Sequence, residues 1–224
     1  MRRMFGKTLA CSLAYLGVAV ACLIQWKSPR PWARVDWYAG VYFASRFLGS
    51  LHSMVSSLDA FRSHRLREEW WALNSDPDGP QWVMVLMALD LTVFLDYGHW
   101  RLTPGLARPT LQIAGIALYL GVTLWQIWTD SYLARYFNEK GQSLLPMSHG
   151  PYRYVRHPRY AAAIVGKIAM ALTFASLFGW LLAFAWGTVL LNKIAIEEKH
   201  LRKLFGLRYE SYARNTARVI PGIY

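Results

Sequence analysis

The chain has 224 residues, of which 54% are hydrophobic, 15% aromatic and 17% charged, and its formal net charge is +12. A soluble globular domain has about 45–50% apolar and about 25% charged residues, so this composition argues against a soluble domain. The basic residues lie between long apolar runs, which favours contact with anionic lipid headgroups over nucleic-acid binding. We therefore expect the lipid bilayer, and no nucleic acid, among the partners of this protein.

The apolar runs predict an all-α fold, a polytopic transmembrane helical bundle of five to six spans. The run at 5–25 is longer than the apolar core of a signal peptide, which has about 7–15 residues. The run at 36–58 contains Arg46 and His52, so it is either a span with a polar interior face or an interfacial helix. The predicted spans are residues 5–25, 36–58, 81–97, 110–133 and the two halves of 160–196.

The last apolar run predicts a helical hairpin. Residues 160–196 number 37, which is too many for one span of about 20 residues. Residues 176–180 lie midway and provide the turn. Because helical rise is about 1.5 Å per residue, the two arms have similar lengths. The hairpin should therefore return Glu197 and Glu198 to the face on which residues 156–160 lie.

The distribution of basic residues predicts the topology. With an inner N-terminus, the inner segments hold 18 Lys and Arg residues and the outer loops hold 5. This bias follows the positive-inside rule and predicts that both termini are cytoplasmic, in a bacterial inner membrane or the endoplasmic reticulum. We expect residues 1–133 to form an N-terminal bundle on the substrate side, and residues 134–224 to form a C-terminal core.

Several motifs of soluble enzymes and metal sites are absent from the sequence. No two glycines have the G-x-G spacing of dinucleotide-binding loops, and there is no P-loop. The six histidines are never three or four residues apart, so neither an iron site nor an H-E-x-x-H zinc site is supported. We predict no metal.

A dense basic and aromatic segment lies at residues 150–160, between apolar runs. It contains three Arg, three Tyr, two Pro and one His. With Glu197 and Glu198 beside it, this segment suits a zwitterionic ligand that carries a ring. Cations would bind a carboxylate, the carboxylates would bind an ammonium or ribose hydroxyls, and the aromatic rings would contact a base.

The motifs Gly-Pro-Tyr, Arg-His-Pro-x-Tyr, Glu-Glu-x-x-Leu and Phe-Gly-x-x-Tyr-x-x-Tyr occur in this order within residues 149–224. Together they resemble the isoprenylcysteine carboxyl methyltransferase and phospholipid methyltransferase superfamily, whose members are integral membrane enzymes that use S-adenosylmethionine. Ala162 stands where the superfamily usually has Gly. Residues 1–140 carry no such resemblance.

The resemblance implies S-adenosylmethionine as the cofactor, bound where the hairpin closes. It implies His157, Glu197 and Glu198 as catalytic candidates, which could accept a proton from an ammonium acceptor. Arg153 and Arg156 are candidates for the methionine carboxylate or an anionic substrate. The implied cofactor-binding residues are Gly150, Tyr152, Arg153, Arg156, His157, Pro158, Tyr160, Glu197 and Glu198.

The acceptor is predicted only as a lipophilic or membrane-borne molecule: a prenylcysteine carboxylate, a phospholipid amine, or a small thiol or amine. Asp90 and Arg46 are substrate candidates because ionisable groups within membrane segments are usually functional. Alternatively, Arg46 or Lys167 simply neutralises Asp90.

Two other functions are compatible with the sequence. The C-terminal segment 218–224 and the Arg-His-x-x-Tyr motif resemble membrane sterol reductases that use NADPH. Those enzymes usually carry Gly-Trp-Trp where this chain has Gly150-Pro151-Tyr152. A membrane scaffold or transporter without enzymatic activity is the third alternative.

Overall fold

A computed structural model describes residues 2–24, 36–61, 79–140 and 148–222, and within these ranges the predicted all-α fold is confirmed. Residues 25–35, 62–78 and 141–147 lie outside the described ranges. The α-helices are α1 (Arg2–Leu23), α2 (Trp37–Phe61), α3 (Gly79–Leu95), α4 (Pro109–Lys140), α5 (Pro158–Phe174), α6 (Leu177–Phe205) and α7 (Leu207–Asn215). A π-helical turn (Asp96–Trp100) and two 3₁₀ turns (Pro104–Leu106 and Gly150–Arg153) lie between them.

Two of the described helices are long and apolar enough to cross a membrane. They are the segment Pro109–Arg135 of α4 and helix α6, Leu177–Phe205. The apolar part of α1, Leu13–Leu23, is shorter. The predicted five to six spans are therefore not confirmed by helix length and hydropathy, although two membrane-suited helices are present.

An aromatic cluster forms the core between α2, α3 and α5. The Phe174 ring lies 5.0 Å from the Tyr42 ring and 5.1 Å from the Phe94 ring, and both pairs are nearly edge to face. Phe43 packs on Phe94 at 5.1 Å. The Tyr42 hydroxyl donates a hydrogen bond to Met170 Sδ at 3.0 Å. Edge-to-face ring pairs add about 0.5–1.5 kcal/mol each beyond area burial, so this cluster holds the three helices together.

The predicted hairpin is present as α5 and α6, and its turn lies at Ala175 and Ser176. Ala175 adopts the left-handed conformation, with φ of 47°, and Ser176 caps α6. The Ser176 hydroxyl donates to buried Asp96 at 2.6 Å, and the Leu102 amide donates to the same carboxylate at 3.0 Å. Thr103 donates to the Ala175 carbonyl at 2.8 Å. The end of α3 therefore anchors the turn.

Two helix ends differ from the sequence prediction. Helix α4 continues to Lys140, through residues expected to form a polar connection, and α6 continues to Phe205. Both helices extend beyond their apolar segments because polar residues propagate a helix that is already nucleated. The boundary predicted at residue 133 falls inside α4, and the division into two domains stays a prediction.

Close approach of α4 to α5 depends on Gly115. A Cβ atom at this position would lie 2.5 Å from the Thr173 backbone nitrogen and 2.7 Å from its hydroxyl. Gln112, one turn earlier, donates to the Thr173 carbonyl at 3.1 Å. A side chain at Gly115 would therefore push two helices apart at a point where backbone faces backbone.

We expect Gly115→Ala to destabilise the bundle by about 1–3 kcal/mol, as overpacking does. Gly121→Ala on the same helix is the matched control, since a Cβ there meets nothing within 4 Å. That control should be neutral, or stabilising by up to about 1 kcal/mol through helix propensity. Thermal unfolding of both variants in detergent measures the difference. Equal stability of the two variants would contradict the close packing.

Candidate functional site

The loop before α5 lies against α4 because residue 150 is glycine. Gly150 has φ of 59°, and a Cβ there would lie 2.6 Å from the Tyr132 ring. The 3₁₀ turn Gly150–Arg153 begins at this contact. Its Tyr152 ring lies 6.3 Å from the Tyr132 ring. Gly150 thus supports the loop through its backbone conformation and its contact with α4.

The start of α5 is fixed to α4 by two polar contacts. Pro158 occupies the first helical turn, where its missing N–H costs nothing. Its carbonyl accepts a hydrogen bond from Trp125 Nε1 at 3.1 Å. The Arg159 Nε atom lies 3.2 Å from Asp130 Oδ1. Helix α4 therefore fixes the position of the residues at the base of the hairpin.

The C-terminal segment returns to pair with the same loop. The amides of Arg156 and His157 donate to the carbonyls of Ala217 at 2.8 Å and Arg218 at 3.0 Å. This pairing forms a short parallel bridge between Val155 and Ala217. The Val155–His157 segment is therefore held between the body of the hairpin and the end of the chain.

The Glu198 side chain is the centre of a buried ion-pair cluster and is 2% exposed. Its Oε1 lies 2.8 Å from Arg156 Nε, and its Oε2 lies 3.0 Å from Arg218 Nε and 3.8 Å from Arg202 Nη2. Arg156 also donates to the carbonyls of Ala213 and Thr216. These contacts join the loop, α6 and the C-terminal segment.

Glu197 differs from its neighbour in having an unpartnered oxygen. Its side chain is 38% exposed, yet its Oε2 is buried and has no hydrogen-bond partner. This oxygen lies 3.9 Å from His157 Nδ1. His157 Nε2 lies 3.4 Å from Glu198 Oε1, without the alignment of a hydrogen bond. The hairpin thus places the imidazole between the two carboxylates, and the His157 side chain does not cap α5.

Tyr152 lies among charged groups from three elements. Burial raises the pKa of the Tyr152 phenol, and its charged neighbours include Arg159, Glu197 and Asp130. The phenol therefore stays protonated at neutral pH. Asp130 Oδ2 is buried without a hydrogen-bond partner, like the oxygen of Glu197. The two carboxylate oxygens give the site acceptors suited to ammonium or hydroxyl donors.

The remaining candidates have different surroundings. The Tyr160 ring lies 5.7 Å from the His157 ring, whereas Arg153 is exposed at the end of its turn. The Arg156 guanidinium bonds within the protein, and Glu198 is enclosed. The structure therefore brings His157, Tyr160 and both glutamates together, while the catalytic and cofactor-binding roles stay predictions.

The substrate candidates Asp90 and Arg46 lie in a separate cluster inside the bundle. Lys167 Nζ donates to both oxygens of fully buried Asp90, and Arg46 Nη2 lies 3.9 Å from that carboxylate. The Arg46 guanidinium covers the Tyr15 ring at 4.8 Å, and Lys167 lies 5.1 Å from the Trp186 ring. Lys167 therefore neutralises Asp90, and a substrate role for Asp90 and Arg46 stays a prediction.

Sequence reasoning missed Asp130 and Arg218 as part of this site. Arg218 belongs to a segment that was considered only for its resemblance to reductases, and Asp130 ends an apolar run without a motif. Tyr212, in the Tyr-x-x-Tyr motif, donates to the Tyr152 carbonyl at 2.7 Å. Burial raises the pKa of the Tyr212 phenol, so it remains a donor at neutral pH.

We expect Glu198→Gln to loosen the C-terminal segment, because it removes the buried carboxylate charge that pairs with the guanidinium groups of Arg156 and Arg218. Breaking a buried ion pair by removing one partner costs about 3–5 kcal/mol. Hydrogen exchange of the Arg156 and His157 amides should accelerate at least tenfold, where tenfold equals about 1.4 kcal/mol. Glu197→Gln is the matched control and should leave this exchange unchanged. Equal acceleration in both variants would refute the role of Glu198 in holding the C-terminal segment against the loop before α5.

Comparison with known proteins gives the site a family context. Residues 110–208 match the model of the family described as phospholipid methyltransferase. The chain is 24% identical over 152 residues to protein-S-isoprenylcysteine O-methyltransferase of Dictyostelium discoideum. That alignment covers 65% of this chain, and the chain spans about 62% of the length of that relative. No solved structure matches the chain.

The family match begins in α4 and ends in α7, so it contains the hairpin, the loop before it and both glutamates. It also covers Asp130, which lies outside the motifs that carried the sequence resemblance. These comparisons confirm the resemblance to the isoprenylcysteine carboxyl methyltransferase and phospholipid methyltransferase superfamily, and residues 110–208 are the part of the chain that is similar to the phospholipid methyltransferase family model.

Proposed function

We propose that this protein is an integral membrane methyltransferase that uses S-adenosylmethionine and methylates a lipophilic or membrane-borne acceptor. The observation that carries the proposal is the unpartnered, buried Glu197 Oε2 beside His157, at the base of the hairpin. Support also comes from the match of residues 110–208 to the phospholipid methyltransferase family model and from the two membrane-suited helices, α4 and α6.

The residues at this site fit the chemistry of S-adenosylmethionine. The cofactor offers an ammonium group, ribose hydroxyls and a purine amine as hydrogen-bond donors. Glu197 Oε2 and Asp130 Oδ2 are buried acceptors without partners. The rings of Tyr152 and Tyr160 border the same region and suit a purine. We assign Glu197, Asp130 and the two tyrosines to cofactor binding, with exposed Arg153 as the cation for the methionine carboxylate.

S-Adenosylmethionine supplies an electrophilic methyl group when bound, and methyl transfer requires no metal. The chain contributes proximity and orientation, which lower the barrier by fixing the two reactants. The Glu197 carboxylate balances positive charge at the site. The His157 imidazole lies between the Glu197 and Glu198 carboxylates. It would accept the proton of an ammonium acceptor, whereas a carboxylate or thiolate acceptor needs no general base at neutral pH.

The two adjacent glutamates have different roles in this proposal. Successive helical residues point about 100° apart, so one carboxylate can face a ligand while the other faces the protein. Glu198 and Arg156 position the loop through their ion pair, and Glu197 contacts the ligand. This division replaces a symmetric role for both carboxylates.

The acceptor is proposed to reach the site from the membrane. Helix α6 carries exposed apolar side chains, including Leu181 and Phe184, and holds both glutamates in its C-terminal part. The relative from Dictyostelium discoideum is named for methylation of a prenylated cysteine. A prenylcysteine carboxylate is therefore the first acceptor to test, followed by a phospholipid amine and a small thiol or amine.

We expect purified protein in detergent to bind S-adenosylmethionine in isothermal titration calorimetry. Glu197→Gln should weaken binding about tenfold or more, because a hydrogen bond to a charged group contributes about 1.5–3 kcal/mol. His157→Ala should also weaken binding, because its imidazole lies 3.9 Å from the Glu197 oxygen that contacts the ligand. Glu210→Gln, at an exposed position of α7, removes the same charge outside the site and should leave binding unchanged.

Two results would contradict the proposal. Binding of NADPH without binding of S-adenosylmethionine would favour the reductase, and binding of neither would favour a scaffold or transporter. Equal weakening by Glu210→Gln and Glu197→Gln would refute the assignment of Glu197 to the ligand.

A further inference from the structure

A basic pocket lies at the polar end of α6, beside the ion-pair cluster. It encloses about 450 Å³ and is lined by Ala195, Glu198, Lys199, Arg202, Lys203 and Arg218. Four of these lining residues are cationic and one is an anion, so the lining has a formal charge of +3. Lys199, Arg202 and Lys203 are exposed to solvent, and Arg202 also lies 3.8 Å from Glu198, so the charges of the two lysines are the ones most available to a ligand.

An exposed apolar stripe on α6 leads directly into this pocket. Its members recur every three or four residues and therefore share one helix face. Lys199 and Arg202 continue the same spacing at the pocket. The exposed residues of the stripe are Leu177, Leu181, Phe184, Thr188, Leu191 and Ala195.

The stripe and the pocket together match an amphiphile. From Leu177 to Ala195 the stripe rises about 27 Å, comparable to the roughly 30 Å hydrocarbon core of a bilayer. Helix α6 is one of the two described helices suited to crossing a membrane, so the pocket lies where such a helix would leave the hydrocarbon. Lys and Arg side chains at that depth attract the phosphate oxygens of anionic lipids.

The charge of the pocket distinguishes it from the site at Glu197. S-Adenosylmethionine carries a net positive charge and would be repelled by three excess cations. The pocket volume lies within the range of about 300–1,000 Å³ for small-molecule sites, which is enough for one headgroup. The pocket therefore suits a compact anion with an apolar tail.

We propose that this pocket binds the phosphate headgroup of an anionic phospholipid, whose acyl chains lie along the α6 stripe. Lys199 and Lys203 contact the phosphate, with Arg202 at the pocket rim. The proposal does not depend on the methyltransferase reaction. Arg218 and Glu198 line the pocket and also hold the loop before α5, so the lipid would touch the residues that position the candidate cofactor site.

Native mass spectrometry of the full chain, purified in detergent, tests this binding. Phosphatidylglycerol and phosphatidylcholine with identical acyl chains are the probes. We expect wild-type protein to retain phosphatidylglycerol preferentially. Lys199→Gln combined with Lys203→Gln should weaken that binding on the order of thirtyfold, as expected for two cations at a membrane surface. Arg208→Gln combined with Arg214→Gln, at exposed positions of α7, is the charge-matched control and should preserve the preference.

Three outcomes would overturn the proposal. The first is equal retention of the two lipids by wild-type protein. The second is an equal loss in the pocket variant and the control variant, which would indicate attraction by overall charge. The third is displacement of phosphatidylglycerol by an equimolar concentration of glycerol 3-phosphate, which would indicate a site for free phosphate. Circular dichroism of both variants checks that each is folded, so a loss of binding reports on the pocket.

Discussion

The carboxylate of Glu198 joins three parts of the chain that are far apart in sequence. It pairs with Arg156 from the loop before α5 and with Arg218 from the C-terminal segment, and it belongs itself to α6. A buried charge is costly unless it is paired and hydrogen-bonded. Moving either arginine away would leave the Glu198 carboxylate less compensated, and this cost holds the three segments together. The position of His157 follows, since its amide is bonded to the same C-terminal segment.

In the proposed function, this ion-pair cluster around Glu198 positions the loop, while Glu197 binds the ligand at the base of the hairpin. The charge of Glu198 is satisfied inside the protein, whereas the neighbouring Glu197 keeps a buried oxygen without a partner. Asp130 on α4 presents a second such oxygen. Buried polar atoms are normally hydrogen-bonded, so unpartnered acceptors at a partly open site suit a donor from solvent or from the proposed ligand. Tyr209 is buried near the same cluster, where burial and the nearby Glu198 carboxylate raise the pKa of its phenol.

Some of this arrangement could be predicted from the sequence. The convergence of Glu197 and Glu198 on residues 156–160 followed from helical rise, because a hairpin of equal arms must return to its starting face. The choice between the two glutamates could not be made, since it depends on the rotation of α6 about its axis. The partner of Arg156 could not be predicted either, because a basic motif does not show whether an arginine binds a ligand or pairs with a buried carboxylate.

Other features depended on contacts that a single sequence does not encode. The pairing of Val155 with Ala217 joins residues with no shared motif, and it follows from the tertiary position of α7. The prediction of five to six spans is not confirmed, since two of the described helices, α4 and α6, combine the length and the hydropathy of a membrane span. Lys167 was correctly predicted as a possible partner of Asp90. The contact itself depends on the packing of α3 against α5, which the sequence does not show.

The central claim is that Glu197, held in place by the ion-pair cluster around Glu198, binds the methyl donor for a membrane-borne acceptor. Its most direct test is the transfer of tritiated methyl groups from S-adenosylmethionine in membranes that contain the protein. The account predicts label in the lipid-extractable fraction above membranes without the protein, and loss of that label with Glu197→Gln. An absence of labelled product from wild-type protein in membranes supplied with a prenylated cysteine, or full labelling by Glu197→Gln, would contradict it.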